Sequence, residues 1–500
     1  MKKHKNILLI NPAIHQASQN KVINAVISKT LPTSIGVLAG YLRGAGIGPL
    51  SLVDEQIDFI KKEELEKIIL VLHPPRIIGM SVLTINSKRA YMLADAIKAI
   101  DRKSIIILGG IHPTVVPDEV LRNENIDVVV RGEGEKTLKE LVDLITNEKD
   151  YSKVQGISIR RNGKIIHNPD RSLVMELDEI PAFPFDLFEE NLGKYSNFGA
   201  VFTSRGCPYK CIFCSSRSVS GKRYRYYSVD RVLSEIKNLS DKYNVKAIMF
   251  LDDNIAVNQK YFTSLLDAII EADLHRKVNF SGSMRGDNVN YKILEKAKAA
   301  NFMMIAFGLE TGSEFLMKLI GKGETVEQVA EAIRMTDQKG IAAATTIIFG
   351  LPKETRKDRW DAIKLVRSLP LSSVRFNTLA PYPGTPVYEM LNNADKVLFK
   401  EDWENFAVQY MWEGDDIPYV PDGNNRYELI FDTMFANFSY YLSINGIKRM
   451  LKSSFAGGNV INLSDRWYLS PATIWKFSRA FLYLSKRFLY ITFKMILAYK

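Results

Sequence analysis

Cysteine is scarce in this chain of 500 amino acids, which contains only three. All three lie close together, at Cys207, Cys211 and Cys214. An odd number of closely spaced cysteines excludes a disulfide framework. The lack of thiols elsewhere is typical of proteins from a reducing compartment, so we expect a cytoplasmic protein.

Long hydrophobic runs are also lacking. No stretch of 18 uncharged apolar residues occurs, so the sequence predicts no membrane-spanning helix. Residues 1–5 are basic, but the apolar stretch 7–10 that follows is too short for the core of a signal peptide. It is predicted to be a buried strand instead. No G-x-G-x-x-G motif follows it, which argues against a nicotinamide dinucleotide.

What the chain does have is a compact C-x3-C-x2-C motif at its cysteines. Three thiolates can bind three irons of a cubane 4Fe-4S cluster and leave the fourth iron open for another ligand. Phe213, next to the last cysteine, is expected to shield the cluster from water. Two alternatives are open at this point. One is unligated thiols, and the other is zinc, which needs a fourth ligand although the nearest histidines are His167 and His275.

The arrangement C-x3-C-x-aromatic-C at Cys207, Cys211, Phe213 and Cys214 resembles the signature of the radical S-adenosylmethionine (SAM) superfamily. The resemblance implies that SAM binds the open iron through its amino and carboxylate groups. An electron from the cluster then cleaves SAM into methionine and a 5′-deoxyadenosyl radical, which abstracts hydrogen from a substrate. The electron donor implied is a protein such as ferredoxin or flavodoxin.

Residues 1–146 alternate short apolar runs with amphipathic segments, which is the pattern of βα units. Strands with helices between them are predicted at 6–10, 50–53, 77–81, 105–108 and 127–130. Such strands indicate a doubly wound, Rossmann-like parallel sheet of the α/β class, which binds ligands at the carboxyl ends of its strands. Glycines follow two of those ends, at Gly109, Gly110 and Gly132, where they permit close approach of a large ligand.

The order of short motifs in this region resembles the cobalamin-binding domain that precedes many radical SAM barrels. The motifs are LPTSIG at 31–36, LRGAG at 42–46, VD at 53–54, GMS at 79–81, LGGIHPT at 108–114 and VRGEGE at 130–135. The resemblance implies that cobalamin lies across the strand ends. Its expected contacts are Pro32, Thr33, Ser81, Gly109, Gly110, Gly132 and Glu133. A sheet domain without a cofactor is the alternative.

Cobalamin mutases and methionine synthases place a histidine under cobalt within a D-x-H-x-x-G motif, which this chain lacks. His15 lies in the loop after the first strand, where that histidine would be, but without the Asp and Gly. A solvated loop histidine is the simpler interpretation. His112, beside a proline turn, is interpreted as structural. The subfamily that the chain resembles generally does without the histidine, so cobalamin is still the expected cofactor.

A charged, turn-rich linker is predicted at 147–195, with a hairpin at 157–166. The βα pattern returns at 196–395. Its strands are predicted at 199–204, 247–251, 279–283, 304–308, 344–349 and 374–377. Six βα units predict a partial (β/α)6 barrel, with functional residues at the carboxyl ends of the strands.

Polar residues follow several of these strands and, by the resemblance, bind SAM. They are Asp252, Asp253, Ser283, Arg285 and Glu310. The two aspartates are expected to accept hydrogen bonds from the SAM amino group, and Glu310 is expected near the ribose. Arg285 can pair with the SAM carboxylate. Plainer interpretations are a helix cap at Asp253 and a solvated turn at Glu310. No catalytic residue is predicted.

Residues 396–500 are predicted to be mostly helical, with helices rich in Phe and Tyr at 426–455 and 467–500. The segment from residue 447 onward supplies most of the net charge of +11, and this concentration in one tail argues against a nucleic-acid partner. In the last helix the cations fall within an arc of roughly 100°. They are Lys476, Arg479, Lys486, Arg487 and Lys494. A basic stripe on an apolar helix is typical of a helix lying on the inner membrane surface. A helix packed on the barrel is the alternative.

Together these features predict an enzyme that uses SAM and cobalamin to methylate an unactivated carbon of an apolar, lipid-like substrate. Radical ring closure without methyl transfer, as in the porphyrin ester cyclase relatives, is one alternative. A cobalamin- or cluster-based sensor is an alternative from another class. Enzymes that insert sulfur or use an auxiliary cluster are disfavoured, because they need more cysteines than this chain has.

Overall fold

The computed structural model describes residues 6–14, 29–407, 414–443, 446, 448–449 and 471–498, and of residues 471–474, 476, 477 and 480 only the backbone. The strands are β1 Ile7–Asn11, β2 Leu50–Asp54, β3 Ile77–Ser81, β4 Ile105–Gly109, β5 Val128–Val130, β6 Ile157–Arg161, β7 Lys164–His167, β8 Ala200–Val201, β9 Ser204–Arg205, β10 Arg225–Tyr226, β11 Ala247–Phe250, β12 Asn279–Met284, β13 Phe302–Glu310, β14 Ala342–Phe349 and β15 Leu371–Thr378. The α-helices are α1 Thr33–Gly44, α2 Lys62–Val71, α3 Ser87–Ile100, α4 Ile111–Val115, α5 Pro117–Arg122, α6 Glu135–Thr146, α7 Arg217–Ser220, α8 Val229–Tyr243, α9 Gln259–Glu271, α10 Tyr291–Ala299, α11 Glu314–Leu319, α12 Val326–Gln338, α13 Arg356–Ser368, α14 Pro386–Asn393, α15 Arg426–Tyr441 and α16 Pro471–Ala498.

The first sheet has five parallel strands in the order β2-β1-β3-β4-β5. Helices cover both faces, with α1 against α6 on one face and α2 against α3 on the other. Side chains of β1 alternate between two cores: Ile7 and Leu9 lie in one, and Leu8 and Ile10 lie in the other. Strands buried on both faces must be apolar throughout, which is why the sequence pattern identifies them. The predicted doubly wound sheet is confirmed.

The linker hairpin extends this sheet, because β6 pairs antiparallel with β5 and β7 with β6. The linker then crosses α1 along a stripe of glycines. A Cβ on Gly36 would lie 2.3 Å from the Phe183 ring, and a Cβ on Gly44 would lie 2.6 Å from Pro181. Glycine at these positions lets the connector pack directly on the helix backbone.

The second sheet is a partial barrel of six parallel strands in the order β8-β11-β12-β13-β14-β15, as predicted. Its first strand is shorter than the predicted 199–204. It ends at Val201, and β9 belongs to a separate hairpin with β10. The reason lies at Thr203, whose N–H donates to the Asp252 carboxylate at 3.1 Å and so is removed from the strand ladder.

The helix α15 covers the last strand of the barrel, and α16 packs on α15. The Tyr440 hydroxyl of α15 donates to the Leu371 carbonyl of β15 at 2.6 Å. In α16, the Phe488 ring stacks on Phe431 with centroids 5.1 Å apart. Lys494 lies 6.0 Å from the ring centroid of Tyr427, so the two helices run in opposite directions.

The first of these helices ends at Tyr441, before the predicted end at 455. Just beyond it, the Ser443 hydroxyl donates to the Tyr440 carbonyl at 2.7 Å, which competes with helix continuation. Among the described residues, we find no helix with the length and apolar character that a membrane crossing requires.

Candidate functional site

The three cysteines lie on one long loop, residues 206–224, which we call the cysteine loop. The hairpin of β9 and β10 closes it. Midway, the Ile212 N–H donates to the Ile320 carbonyl, and the Ile212 carbonyl accepts from the Val387 N–H, both at 3.0 Å. These partners follow α11 and open α14, so two barrel segments hold the loop. Phe213 packs on the main core, and its role as a shield of the cluster stays a prediction.

The thiols are half-buried and free of disulfides. Burial raises the pKa of all three, that of Cys214 to about 11. Metal binding therefore has to provide the free energy that deprotonates them. In the described part of the chain, no three His, Cys, Asp or Glu side chains surround a single-ion position. In a cubane each thiolate binds its own iron, so three thiols on one loop are a donor set that fits a 4Fe-4S cluster.

The two carboxylates after β11 have different surroundings. Asp252 is buried and accepts hydrogen bonds from the N–H and hydroxyl of Thr203, at 3.1 and 2.8 Å, and from the Ser204 hydroxyl. Burial raises the pKa of Asp252 to about 6, although these hydrogen bonds oppose the shift. Asp253 is exposed and accepts a hydrogen bond from Ser216, two residues after the last cysteine. Asp253 therefore contacts the cysteine loop itself. Asp252 instead fixes Thr203 and Ser204, the residues that lead into that loop.

Arg285, after β12, is buried and has several partners. Its guanidinium binds both oxygens of Asp287, at 3.0 and 2.7 Å, and donates to the Lys322 carbonyl at 2.7 Å. Its Cζ lies 3.7 Å from the ring centroid of Tyr209, in the cysteine loop. Ser283, two residues earlier, is partly exposed. Arg285 thus supports the cysteine loop, and a direct pair with the SAM carboxylate requires it to leave Asp287.

A buried lysine that sequence reasoning missed lies beside Glu310. Lys322 Nζ is 3.2 Å from Glu310 and 3.4 Å from Glu324, and it donates to the Gly308 carbonyl. Burial alone would lower the pKa of Lys322, but the two carboxylates and the nearby Cys211 raise it overall. Lys322 is therefore a fixed positive charge near the cysteine loop. Its one sequence signal is its position between two glycines just after a helix.

The loop after β14, residues 350–354, turns on Gly350, whose φ is +80°. Glu354 accepts a hydrogen bond from the Gly350 N–H, and burial raises the pKa of Glu354 to about 8. Arg359 lies 3.6 Å from Glu354 and binds Asp432 of α15 at 2.8 Å. A C-terminal helix therefore fixes the loop at the end of a barrel strand.

A cavity of about 240 Å³ lies at the carboxyl ends of the first sheet. It is lined by six of the residues predicted to contact cobalamin: Thr33, Ser81, Gly109, Gly110, Gly132 and Glu133. Pro32 is outside the lining and precedes α1. The far wall comes from the barrel side, at Phe202, Arg205, Val219 and Ser220. Since the last two belong to the cysteine loop, the cavity lies between that loop and the first sheet.

The lining suits a large, partly apolar ligand. Many of its side chains are aliphatic, for example Ile107 and Val130. Gly132 has a φ of +70° and open space where a Cβ would project, whereas a Cβ on Gly110 would lie 2.8 Å from the Val82 carbonyl. Gly110 is thus needed for close backbone packing, and Gly132 leaves room for an occupant. An apolar cavity at parallel strand ends fits the nucleotide end of cobalamin.

Glu133 lines the cavity, but two arginines engage its carboxylate. Arg225 binds both of its oxygens, at 2.8 and 3.0 Å, and Arg205 lies 3.4 Å away. Burial alone would raise the pKa of Glu133, but the two cations lower it overall. Sequence reasoning missed Arg225, because nothing near it in the chain signals a partner in the first sheet.

His112 has the surroundings of a packing residue. His112 is fully buried, and its Nε2 lies 2.9 Å from the Tyr91 hydroxyl and 3.1 Å from Glu119. These contacts agree with the interpretation of His112 as a packing residue. His15 lies outside the described residues.

Two family models match this chain. The Radical SAM superfamily model matches residues 201–366, which include the cysteine loop and β11 to β14. The B12 binding domain model matches residues 21–142, which include α1 and the strand ends that line the cavity.

Known proteins are similar to this chain over most of its length. An uncharacterized methyltransferase of Pyrococcus horikoshii is 33% identical over 81% of this chain and 87% of its own. The anaerobic magnesium-protoporphyrin IX monomethyl ester cyclase of Rubrivivax gelatinosus is 24% identical over 86% of this chain and 76% of its own. The radical SAM methyltransferase TsrM from Kitasatospora setae, solved with cobalamin and a 4Fe-4S cluster bound, superposes with a TM-score of 0.67. That match covers 91% of this chain and 100% of TsrM at 16% identity, so it is a likeness of fold.

Proposed function

This chain belongs to the radical SAM superfamily, among the members that carry a B12-binding domain, and we propose on that basis that it methylates an unactivated carbon of an apolar, lipid-like substrate. It is an enzyme, and its cofactors are a 4Fe-4S cluster, SAM and cobalamin. When bound, they supply a carbon-centred radical and a methyl group. The relative that is 33% identical is described as an uncharacterized methyltransferase, and this description favours methyl transfer over ring closure.

The main support for this function is that both matched regions line the same cavity. The strand ends of the B12-binding region form one side, and Val219 and Ser220 of the cysteine loop form the other. A methyl donor in this cavity therefore lies next to the loop that holds the radical source. Methylation of an unactivated carbon needs that proximity, because the substrate radical has to meet the methyl group before it reacts otherwise.

The proposed roles of the polar residues follow from their surroundings. The three cysteines bind the cluster. Asp253, which is exposed and next to the cysteine loop, accepts hydrogen bonds from the SAM amino group. Glu310, held by Lys322, faces the ribose. Asp252 orients the strand end, since Thr203 and Ser204 occupy its oxygens. Arg285 and Ser283 complete the wall beside SAM.

A proposed electron donor of the ferredoxin or flavodoxin type fits the surface beside the cysteine loop. Lys210 in the loop and Lys318 in α11 are exposed, and so is Phe315, at 58%. The backbone bond between Ile212 and Ile320 joins the two segments. Two cations with an exposed aromatic ring suit a small acidic protein.

The exposed face of α16 is apolar, which supports the proposal of a lipid-like substrate at a membrane surface. Trp475, Leu482, Leu489 and Phe493 are between 59% and 68% exposed. At 100° per residue they share one side of the helix, opposite the buried Ile491. Arg479 and Lys486 are exposed on the same side. An apolar face with basic residues at its margin suits the surface of an anionic membrane, on the cytoplasmic side.

The proposed activity is tested by label transfer. Anaerobically reconstituted enzyme with cobalamin, a reductant and SAM carrying a trideuterated methyl group is incubated with lipid extract from cells that lack the gene. We expect labelled methyl in one lipid class together with 5′-deoxyadenosine. Formation of 5′-deoxyadenosine with a mass change but no label would favour ring closure. A protein loaded with cluster and cobalamin that forms no 5′-deoxyadenosine would be a sensor or binding protein.

If α16 contacts a membrane, the wild-type protein should sediment with vesicles of anionic phospholipid. The double variant Leu489→Glu with Phe493→Glu should stay in the supernatant. Each side chain contributes about 1.5–3 kcal/mol when buried, so binding should weaken at least tenfold. The matched control is Leu70→Glu with Val71→Glu, whose side chains on α2 are 56% and 71% exposed in the first domain. Equal binding by both double variants, or no sedimentation of the wild type, contradicts membrane contact.

A further inference from the structure

The hairpin that closes the cysteine loop carries two arginines that bind one carboxylate of the first domain. Arg225 and Arg205 are opposite each other on β10 and β9. Arg225 binds Glu133 at 2.8 and 3.0 Å. Arg205 lies 3.4 Å from Glu133 and 2.7 Å from Glu135. The exposed fractions of these four side chains are between 2% and 14%, so four buried charges form one neutral network between the two matched regions.

Further hydrogen bonds connect this network to the linker and to the end of the cysteine loop. Arg225 donates to the Val174 carbonyl at 2.5 Å and to the Ser220 carbonyl at 2.9 Å. Glu133 accepts from the Val174 N–H at 3.0 Å. Removing one member of a buried ion pair leaves an uncompensated charge, so separating these partners costs free energy. The strand-end loop that contains Glu133 and the closing hairpin are thereby held in one arrangement.

The same residues form part of the cavity wall, since Glu133, Glu135, Arg205 and Ser220 all line it. An occupant of the cavity packs against the network that closes the cysteine loop. The three cysteines of the same loop are the ligands proposed for the cluster, so a bound cluster would restrict the loop from the other side. The second group to bind therefore loses less conformational entropy than the first.

We propose that the network of Arg205, Arg225, Glu133 and Glu135 couples the two cofactor sites. Cobalamin in the cavity raises the affinity for the cluster, and the cluster raises the affinity for cobalamin by the same factor, because coupling between the binding free energies of two sites is reciprocal. Tighter binding of the cluster also slows its loss. The network residues act by position and touch neither iron nor the reacting carbon. The inference rests on the cofactors of this chain and is independent of the proposed methyl transfer.

The wild-type test measures two quantities that need no turnover. The first is the rate at which a ferrous chelator removes iron from the reconstituted full-length protein, with and without saturating hydroxocobalamin. The second is the hydroxocobalamin Kd of the cluster-loaded protein and of the triple variant Cys207→Ala, Cys211→Ala, Cys214→Ala. We expect the cluster to lower the hydroxocobalamin Kd about tenfold, in the usual range for coupled sites. Hydroxocobalamin should also slow the removal of iron by the chelator. Ratios near one in the wild type overturn the proposal, whether or not methyl transfer occurs.

The variant that assigns the coupling to the network is Arg225→Gln, because Arg225 is outside the cavity lining. We expect the Arg225→Gln protein to bind both cofactors. The ratio of its hydroxocobalamin Kd without the cluster to that with the cluster should fall to about twofold or less. Hydroxocobalamin should also protect its iron less than in the wild type. Thermal unfolding of the Arg225→Gln apoprotein shows whether it folds. The matched control is Arg43→Gln, which removes a bidentate pair with Asp186 between α1 and the linker, at 2.5 and 3.0 Å, and should keep both ratios. A folded Arg225→Gln protein that keeps the wild-type effects on the Kd and on iron removal would show that the network does not couple the two sites.

Discussion

The Cys211→Ala variant is expected to form no 5′-deoxyadenosine above the level of an enzyme-free control. A cubane held by three thiolates has no spare protein ligand, so loss of one thiolate releases the iron that it bound. Cys211 is next to Ile212, the residue whose backbone is bonded on both sides to the barrel. No other thiol exists in the chain to replace it. The same result is expected for Cys207→Ala and Cys214→Ala.

The measurement is iron and sulfide content after anaerobic reconstitution, followed by mass spectrometry for 5′-deoxyadenosine after reduction with dithionite. Ser218→Ala is the control on the same loop. The Ser218 hydroxyl is exposed and has a long hydrogen bond, 3.4 Å, to the Gly384 carbonyl, so the variant should keep cluster and cleavage. A Cys211→Ala protein with full iron and normal cleavage would show that the thiol is not a ligand. Zinc in place of iron in the wild type would restore the zinc alternative.

The Arg359→Met variant is expected to lose about 3–5 kcal/mol of unfolding free energy, the range for breaking a buried ion pair. Arg359 is fully buried and binds Asp432 at 2.8 Å and Glu428 at 2.7 Å. It also donates to the Asn424 side chain at 2.7 Å. Methionine fills a similar volume but leaves the carboxylates of α15 without this partner. The contact between α13 and α15 therefore weakens, and with it the support of the loop at residues 350–354.

Arg356→Met is the matched control, because Arg356 binds the same carboxylates from a more exposed position. It lies 3.3 Å from Glu428 and 3.1 Å from Asp432, and its side chain is 38% exposed. Solvent screens such a pair, so the expected loss is about 1 kcal/mol or less. Urea unfolding of the two variants and the wild type measures the difference. An equal loss of unfolding free energy in both variants would show that the burial of Arg359 does not determine how much its ion pairs stabilise the protein.

Elements with clear local signals were predicted closely. Strand Ile77–Ser81 has the predicted bounds, and helix Val229–Tyr243 lies between two predicted strands, as the βα pattern requires. This helix begins after Ser228, whose hydroxyl accepts from the Arg231 N–H at 3.3 Å. It ends at Asn244, whose φ is +52°. Caps and buried apolar runs act within a few residues, so a local reading of the chain finds them.

Side chains whose partners are distant in the chain were predicted less well. The strand at 199–204 was interrupted by Asp252, about fifty residues further along. The contacts of Arg285 with Tyr209 and with the Lys322 carbonyl were not predicted, and its pair with SAM stays a prediction. The position of Lys322 between two glycines did not indicate its partners Glu310 and Glu324. In each case a buried charge takes the partner that best replaces water, and that choice depends on which segments the fold brings together.

By itself the sequence determined the two βα domains, the position of the cysteine loop and the order of the two matched regions. These depend on short-range chemistry: thiolates at fixed spacing, strands apolar on both faces, and glycines at strand ends. Only the tertiary structure decided which charges are paired and where the two domains share a wall. Glu133 and Arg225 are 92 residues apart in sequence. They meet because the first sheet and the cysteine loop close one cavity, and the free energy of burying both charges favours their pairing.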